Sequence, residues 1–423
     1  MENNKQTIDS LLDELFLYFK NAQYHKVTVS SYRSCWNRVK DFMLDNGIKY
    51  YDRNVGKAFL KGELGDFVYG NLSDKQKSLV NRTEALYKFQ STGRIPVGGK
   101  QLPPKEFEGE IGHIIKRFIS YRKETLGLAK KTVHSYTIYL HSFYLYLNNA
   151  GIRQIKDFNA CSLLSYVKQM DQTASAKQHV TLNILRIFFR YLHEHGILPA
   201  DYSQVVPKDS YKESDKLPST FTDEEIKAIL NAIDRGSPKG KRDYAMLLIA
   251  MRLGLRASDI TGLRFENIIW ERNVISIEQQ KTGEPLELPL LPEIGNAIID
   301  YLKHGRPVSK APQCFLRAQA PYVPITYSCL GNVVVRYMRL AGINCVKRKH
   351  GPHALRHCFA SALLKEKVPL PVISELLGHK NMSSSMGYLR VDLASLRECA
   401  LEVPPVPLSF YNIGINNKQE RRI

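Results

Sequence analysis

The chain has 423 residues, 43% hydrophobic and 24% charged, which excludes a globally disordered polymer and implies two or three domains rather than one. Its 60 Lys and Arg outnumber 41 Asp and Glu, and the resulting net charge of +19 points to a polyanion partner. The excess is +5 in residues 1–104 (16 basic, 11 acidic), +5 in 105–214 (15 and 10) and +9 in 215–423 (29 and 20), which fits a whole chain wrapped on nucleic acid better than a globular body with one basic arm.

Seven scattered cysteines, with no C-x-x-C pair, argue against a zinc module and against a disulfide framework. Residues Met1 to Lys5 show no apolar signal core, and no apolar run is long enough to span a bilayer. A soluble, reduced, cytoplasmic protein without membrane contact is expected.

In chain order, residues 8–48 predict two helices. Leu11, Leu12, Leu15, Phe16 and Phe19 mark one apolar face at spacings of three and four. Thr28 and Ser30 open the second helix, which carries Tyr32, Trp36, Val39, Phe42 and Met43 and stops near Asn46-Gly47. Residues 110–152 repeat that plan. Thr28, Tyr32 and Gly47-Ile48 match Thr132, Tyr136 and Gly151-Ile152 at a constant offset of 104, which suggests duplication. Between the two, Ser91 to Lys100 and Pro103-Pro104 form a Gly/Pro-rich connector and a boundary.

Residues 174–196 predict another helix with Leu182, Ile184, Leu185, Phe188, Phe189 and Leu192 inside. Arg186 and Arg190, four apart, share a flank that suits either solvent or phosphate. A polar, Pro-bearing linker follows at 201–218. Thr222 to Glu225 is a capping-box pattern. Residues 243–253 predict a buried helix ending near Gly254, and Leu255 to Leu263 a turn into a short helix. Val274 to Glu278 and Leu286 to Leu290 alternate like strands around a Lys281-Thr282-Gly283 turn. Residues 292–345 predict helices around a loop from Pro307 to Pro324.

The densest chemistry lies near the C-terminus. Pro352 suits the first turn of a helix on which His353 and Arg356, three apart, share a face. Residues 361–377 predict two amphipathic helices broken at Pro369 and Pro371. Gly378 predicts a helix stop with His379 in the turn beyond it. Ser383, Ser384 and Ser385 offer N-caps for a further helix with Tyr388 in its first turns. Cationic groups, imidazoles and a phenol on neighbouring elements suit a phosphodiester: cations hold its oxygens, histidine moves a proton, and a tyrosine hydroxyl attacks phosphorus.

These residues carry a resemblance. Gly254-Leu255-Arg256-Ala257-Ser258-Asp259, Lys281-Thr282-Gly283, His353-Ala354-Leu355-Arg356, Leu377-Gly378-His379 and Tyr388 resemble the motif set of the tyrosine recombinase/integrase family in order and spacing. Arg356 and His379 are 23 apart, His379 and Tyr388 nine, and no other tyrosine lies between His379 and Leu401. The resemblance is strong over 215–400 and extends to 110–205, which is similar to the family's helical core-binding domain.

It implies a mainly α fold, with helical SAM-like core-binding domains and a mixed α+β catalytic domain holding a small antiparallel sheet. The expected domains are 1–104 (helical and DNA-binding, a duplicate of the core-binding unit), 105–205 (core-binding), 206–218 (linker), 219–400 (catalytic) and 401–423 (tail). The implied activity is site-specific recombination or integration for a phage or mobile element, through a 3′-phosphotyrosine.

By that resemblance Tyr388 is the nucleophile. Arg256 and Arg356 bind the non-bridging oxygens, and His379 adds a hydrogen bond to the same phosphate. Lys281 protonates the 5′-oxygen, His353 serves the tyrosine as acid and base, and Asp259 orients its neighbours. No cofactor and no metal are implied. The implied partners are double-stranded DNA, further copies of the chain in a synaptic tetramer, and an accessory directionality or DNA-bending protein.

Two departures stand out. Residues 1–104 show no β-rich arm-binding pattern, so they are expected to extend the grip on flanking DNA. The tail, Val403 to Ile415, is expected to pack on a neighbouring subunit. The competing readings are a type IB topoisomerase with a similar residue set, and a DNA-binding regulator with a silent site.

Overall fold

The computed structural model describes residues 6–95, 105–171, 175–209, 221–345, 350–381 and 385–386. Two compact units emerge, one formed by Cys35–Lys216 and the other by Gln6–Ser34 with Leu217–Ile423. Among the described residues no helix is long and apolar enough to cross a membrane.

The first four helices are α1 (Ile8–Asn21), α2 (Lys26–Asp45), α3 (Arg53–Leu64) and α4 (Asp74–Thr92). The Thr7 hydroxyl caps α1 and the Asp52 carboxylate caps α3. Ser73 and Gln76 form a reciprocal capping box on α4, and Gly93 ends it in the left-handed region at φ +66°. Trp36 of α2 is fully buried and donates its indole N–H to the Arg82 carbonyl of α4 at 2.9 Å.

The next four are α5 (Gly109–Leu126), α6 (Lys130–Asn149), α7 (Ala160–Lys168) and α8 (Ser175–Glu194). They close around an aromatic core of Phe118, Phe143, Phe158, Phe188 and Phe189, in which Phe158 stacks on Phe189 with ring centres 5.0 Å apart. Each such side chain contributes about 1.5–3 kcal/mol on burial. The Arg186 and Arg190 flank divides. Arg186 donates to Asn183 Oδ1 at 2.7 Å and to the Pro207 carbonyl at 2.6 Å, so it ties the segment after α8 back onto the helix, while Arg190 is exposed.

In the second unit, α9 (Asp223–Asn231) opens with the expected Thr222–Glu225 capping box. Helix α10 (Pro238–Arg252) starts five residues before the expected 243, because Ser237 caps it and Pro238 occupies its first turn. Residues Ala245 to Met251 of α10 are all buried, so this helix is the centre of the unit's core. After α11 (Ala257–Gly262) come β1 (Ile268–Ile269), β2 (Val274–Glu278) and β3 (Pro285–Pro289). They form one antiparallel sheet in that order, with Ile275 opposite Leu288 and Ile277 opposite Leu286 on the buried face. A two-residue strand such as β1 leaves no alternation for sequence to show.

Helices α12 (Pro292–His304), α13 (Tyr327–Leu340), α14 (Pro352–Lys365) and α15 (Leu370–Leu376) complete the unit. Only one of the two expected prolines falls at a break. Pro369 precedes α15, while Pro371 lies in its first turn, where the missing N–H costs nothing. The fold is thus mainly helical with one small antiparallel sheet, as expected.

Candidate active site

Two arginines from distant segments converge on one turn. Arg256 sits at the entry of α11, just after Gly254 ends the run from α10 at φ +59°. Arg356 lies in α14 and is only 4% exposed. Its Nη1 donates to the Gly254 carbonyl at 2.7 Å and its Nη2 to the Leu377 carbonyl at 2.5 Å. Arg256 Nη2 donates to the next carbonyl, that of Gly378, at 3.3 Å. The side chain of Arg356 therefore binds together the end of α10 and the turn after α15.

Sequence reasoning missed the residue that joins the remaining pieces. Gln279, 1% exposed, follows β2. Its Oε1 accepts from Arg256 Nη1 at 2.5 Å and from the Thr282 hydroxyl at 2.8 Å, and its Nε2 donates to the Leu377 carbonyl at 3.2 Å. The Gln279-Gln280 pair ahead of the Lys281-Thr282-Gly283 turn was the one available signal: two amides where the strand pattern ends. Lys281 is exposed in that turn, as expected of a hairpin-tip lysine.

Asp259, 4% exposed, braces the same hairpin. Its Oδ1 accepts from the Gln280 backbone N–H at 3.0 Å and from the Ser258 hydroxyl at 3.3 Å. Its Oδ2 is buried without a hydrogen-bond partner among the described residues. Burial raises this carboxyl above its ordinary value, and the Gln280 N–H, Arg256, Ser258 and Arg356 oppose the rise.

His379 stands after Gly378, whose φ of +59° turns the chain back. The turn is closed by bonds from the Gly378 N–H to the Glu375 carbonyl (2.7 Å) and from the His379 N–H to the Ser374 carbonyl (2.9 Å). The imidazole is half-buried, and its pKa falls from 6.5 to about 4. Burial is the main cause, followed by Arg356, Arg256, His357 and Lys281. At neutral pH the ring is uncharged.

Its Nδ1 lies 2.7 Å from the hydroxyl of fully buried Ser385. Ser385 was expected among the N-caps of a following helix. Its hydroxyl meets the histidine ring, while Ser383, Ser384 and the residues after Met386 lie outside the described residues.

His353 is exposed in the first turn of α14. The two residues expected to share a face differ in environment, since Arg356 is buried. Tyr388 lies outside the described residues. The site as described gathers Arg256, Arg356 and Lys281 around one neutral imidazole and one carboxyl that burial pushes toward its neutral form. Such a site favours a tetrahedral oxyanion such as phosphate.

Comparison with known proteins agrees with this chemistry. Residues 219–394 match the phage integrase family. Over 292 residues, 69% of this chain and 70% of the relative, the chain is 30% identical to the putative integrase/recombinase y4rA of Sinorhizobium fredii. It is 29% identical to the tyrosine recombinase XerD of Lacticaseibacillus casei over 65% of this chain and 92% of that protein. Among solved structures, XerH site-specific recombinase bound to a palindromic difH substrate shares the fold (TM-score 0.55, 18% identity, 81% of this chain and 93% of that chain). So does the Tn1549 transposon integrase in complex with a circular intermediate DNA (TM-score 0.53, 16% identity, 69% and 100%).

Proposed function

The chain belongs to the tyrosine recombinase/integrase family, whose members are site-specific recombinases, and from that premise we propose that it cuts and rejoins duplex DNA for a mobile element through a 3′-phosphotyrosine intermediate. The observation that carries the reading is the convergence of Arg256 and Arg356 on the Leu377-Gly378 turn, beside His379 and the Lys281 hairpin.

The chemistry follows from those groups. A guanidinium carries five N–H donors, so bonds that anchor it to backbone carbonyls are compatible with bonds to phosphate. Arg256 and Arg356 neutralise the two non-bridging oxygens, whose charge grows in the transition state. The Tyr388 oxygen attacks phosphorus and gives its proton to His353. The bond from phosphorus to the 5′-oxygen breaks, and Lys281 protonates that oxygen as it leaves. The phosphotyrosine keeps the bond energy, so an incoming 5′-hydroxyl reverses the same steps and seals a new strand. His379, neutral and with Nδ1 facing Ser385, offers Nε2–H to the phosphate. Asp259 holds the hairpin through the Gln280 N–H and so sets the reach of Lys281.

Residues 105–205 grip the duplex beside the crossover, residues 206–218 link them to the catalytic domain at 219–400, and the net charge of +19 provides the attraction. Four copies assemble on two sites, an accessory protein sets direction or bends the DNA, and the tail proposed to reach a neighbour, Val403 to Ile415, lies outside the described residues.

The test is strand exchange between two end-labelled duplexes carrying the element's junction, with neither metal nor nucleotide added. Recombinant strands joining the two labels support the reading. Relaxation of supercoiled DNA with no exchange in the presence of both sites would favour a type IB topoisomerase instead.

A further inference from the structure

Helix α2 repeats helix α6. Helices α2 and α6 each run 20 residues, and both their starts (Lys26, Lys130) and their ends (Asp45, Asn149) are 104 residues apart. Their closing bonds repeat at the same offset. The Gly47 N–H reaches the Leu44 carbonyl and the Gly151 N–H the Asn148 carbonyl, both at 3.1 Å. The Ile48 N–H reaches Met43 at 2.8 Å and the Ile152 N–H reaches Leu147 at 2.9 Å. Gly47 and Gly151 are both left-handed, at φ +65° and +77°.

The cores correspond as well. Trp36, Val39 and Met43 fall at the positions of Leu140, Phe143 and Leu147, all fully buried. Tyr32 meets Phe19 of the preceding helix at 5.2 Å, as Tyr136 meets Phe118 at 5.7 Å. The likeness then continues beyond the stretch where sequence identity fades. Helices α4 and α8 run 19 and 20 residues, and left-handed Gly93 and Gly196 follow them closely.

Packing accounts for the buried matches. It does not account for the exposed ones. Lys26 and Lys130 are identical and exposed, as are Thr28 and Thr132. Ser31 and Ser135, three residues beyond each threonine and on the same face, are identical and half-buried. Neither Lys26 nor Lys130 forms an ion pair among the described residues. An exposed ammonium contacts phosphate oxygens without reading bases, and so does a pair of hydroxyls on one helix face. The two segments also carry the same net charge, +5 in 1–104 and +5 in 105–214.

We infer that α2 repeats α6 and that the start of α2 is a second duplex-DNA contact equivalent to the start of α6. The inference rests on the reading that residues 105–205 grip DNA. One chain then holds its duplex at two repeated helix starts, and the contact at Lys26 is made with the backbone rather than with a base sequence.

The test measures how binding of the full chain to a 40-bp mixed-sequence duplex depends on salt. Each lost phosphate contact lowers the slope of log affinity against log salt by about one. Lys26→Ala and Lys130→Ala should each lower it by about one, and the double variant by about two. Lys26→Arg should restore the wild-type slope, which separates loss of charge from loss of fold. A wild-type slope in Lys26→Ala, with the lowered slope retained in Lys130→Ala, would overturn the second contact. Unchanged slopes in both would overturn the assignment of these two helix starts. A wild-type chain that does not bind the duplex at low salt would instead sink the proposed function itself.

Discussion

Gln279 receives the guanidinium of Arg256 on its side-chain oxygen at 2.5 Å while its amide N–H₂ reaches the carbonyl of Leu377 at 3.2 Å. One buried amide thus links three segments: the arginine after α10, the hairpin that carries Lys281, and the turn that carries His379. Replacing Gln279 with Leu leaves these groups without their common partner. We expect stability to fall by about 1–3 kcal/mol, as for other buried hydrogen-bonding groups. The rate of DNA cleavage should fall by tenfold or more while duplex affinity changes little. Urea unfolding and single-turnover cleavage check the two parts separately.

The depressed pKa of His379 gives a pH dependence with a definite sign. Its folded value of about 4 lies below the ordinary 6.5, so the unfolded chain binds the proton more readily. The stability that comes from keeping the ring neutral is fully present above pH 6.5 and is lost as pH falls from there toward about 4. Urea midpoints measured across that window should drop for the wild type, and His379→Gln should flatten this part of the profile.

Two left-handed glycines make a controlled pair. At Gly378, φ is +59° and an added Cβ would lie 2.1 Å from Gln279 Nε2. At Gly47, φ is +65° and nothing lies within 4 Å. Gly47→Ala should cost about 1 kcal/mol from backbone conformation alone. Gly378→Ala should cost more and should also slow cleavage, because Gln279 must move. Thermal melts and cleavage rates of both variants decide it.

Asp259 separates geometry from charge. Asp259→Asn keeps an acceptor for the Gln280 N–H and removes a carboxylate beside two arginines, whereas Asp259→Ala leaves that N–H unpaired. The alanine variant should lose about 1–3 kcal/mol of stability and the asparagine variant less. The comparison is made by urea unfolding at neutral pH.

Local pattern made much of this protein legible. The apolar spacing of Leu11, Leu15 and Phe19, the Thr222–Glu225 box and the β2–β3 alternation each depend on neighbours a few residues away, and each appears as expected. Gly378 and His379 likewise announced their turn. The contacts within the site were not legible. The Gln279 bond to Leu377 spans 98 residues and the Arg356 bond to Gly254 spans 102, and no local periodicity encodes such pairings. Ser385 showed the same limit: its hydroxyl suited a helix cap, and nothing local announced its contact with His379. Arg186, which suited either solvent or phosphate by type, also bonds to the Pro207 carbonyl 21 residues away, a pairing that nothing local announced.

The central claim is that a tyrosine of this chain becomes covalently joined to DNA. A nicked duplex carrying the element's junction, labelled at one end, loses its 5′-hydroxyl fragment after cleavage and traps the intermediate. With no metal or nucleotide added, the account predicts a labelled protein–DNA adduct on a denaturing gel from the wild type and none from Tyr388→Phe. An adduct of equal yield from Tyr388→Phe, or none from a wild-type chain shown to bind that duplex, would contradict it.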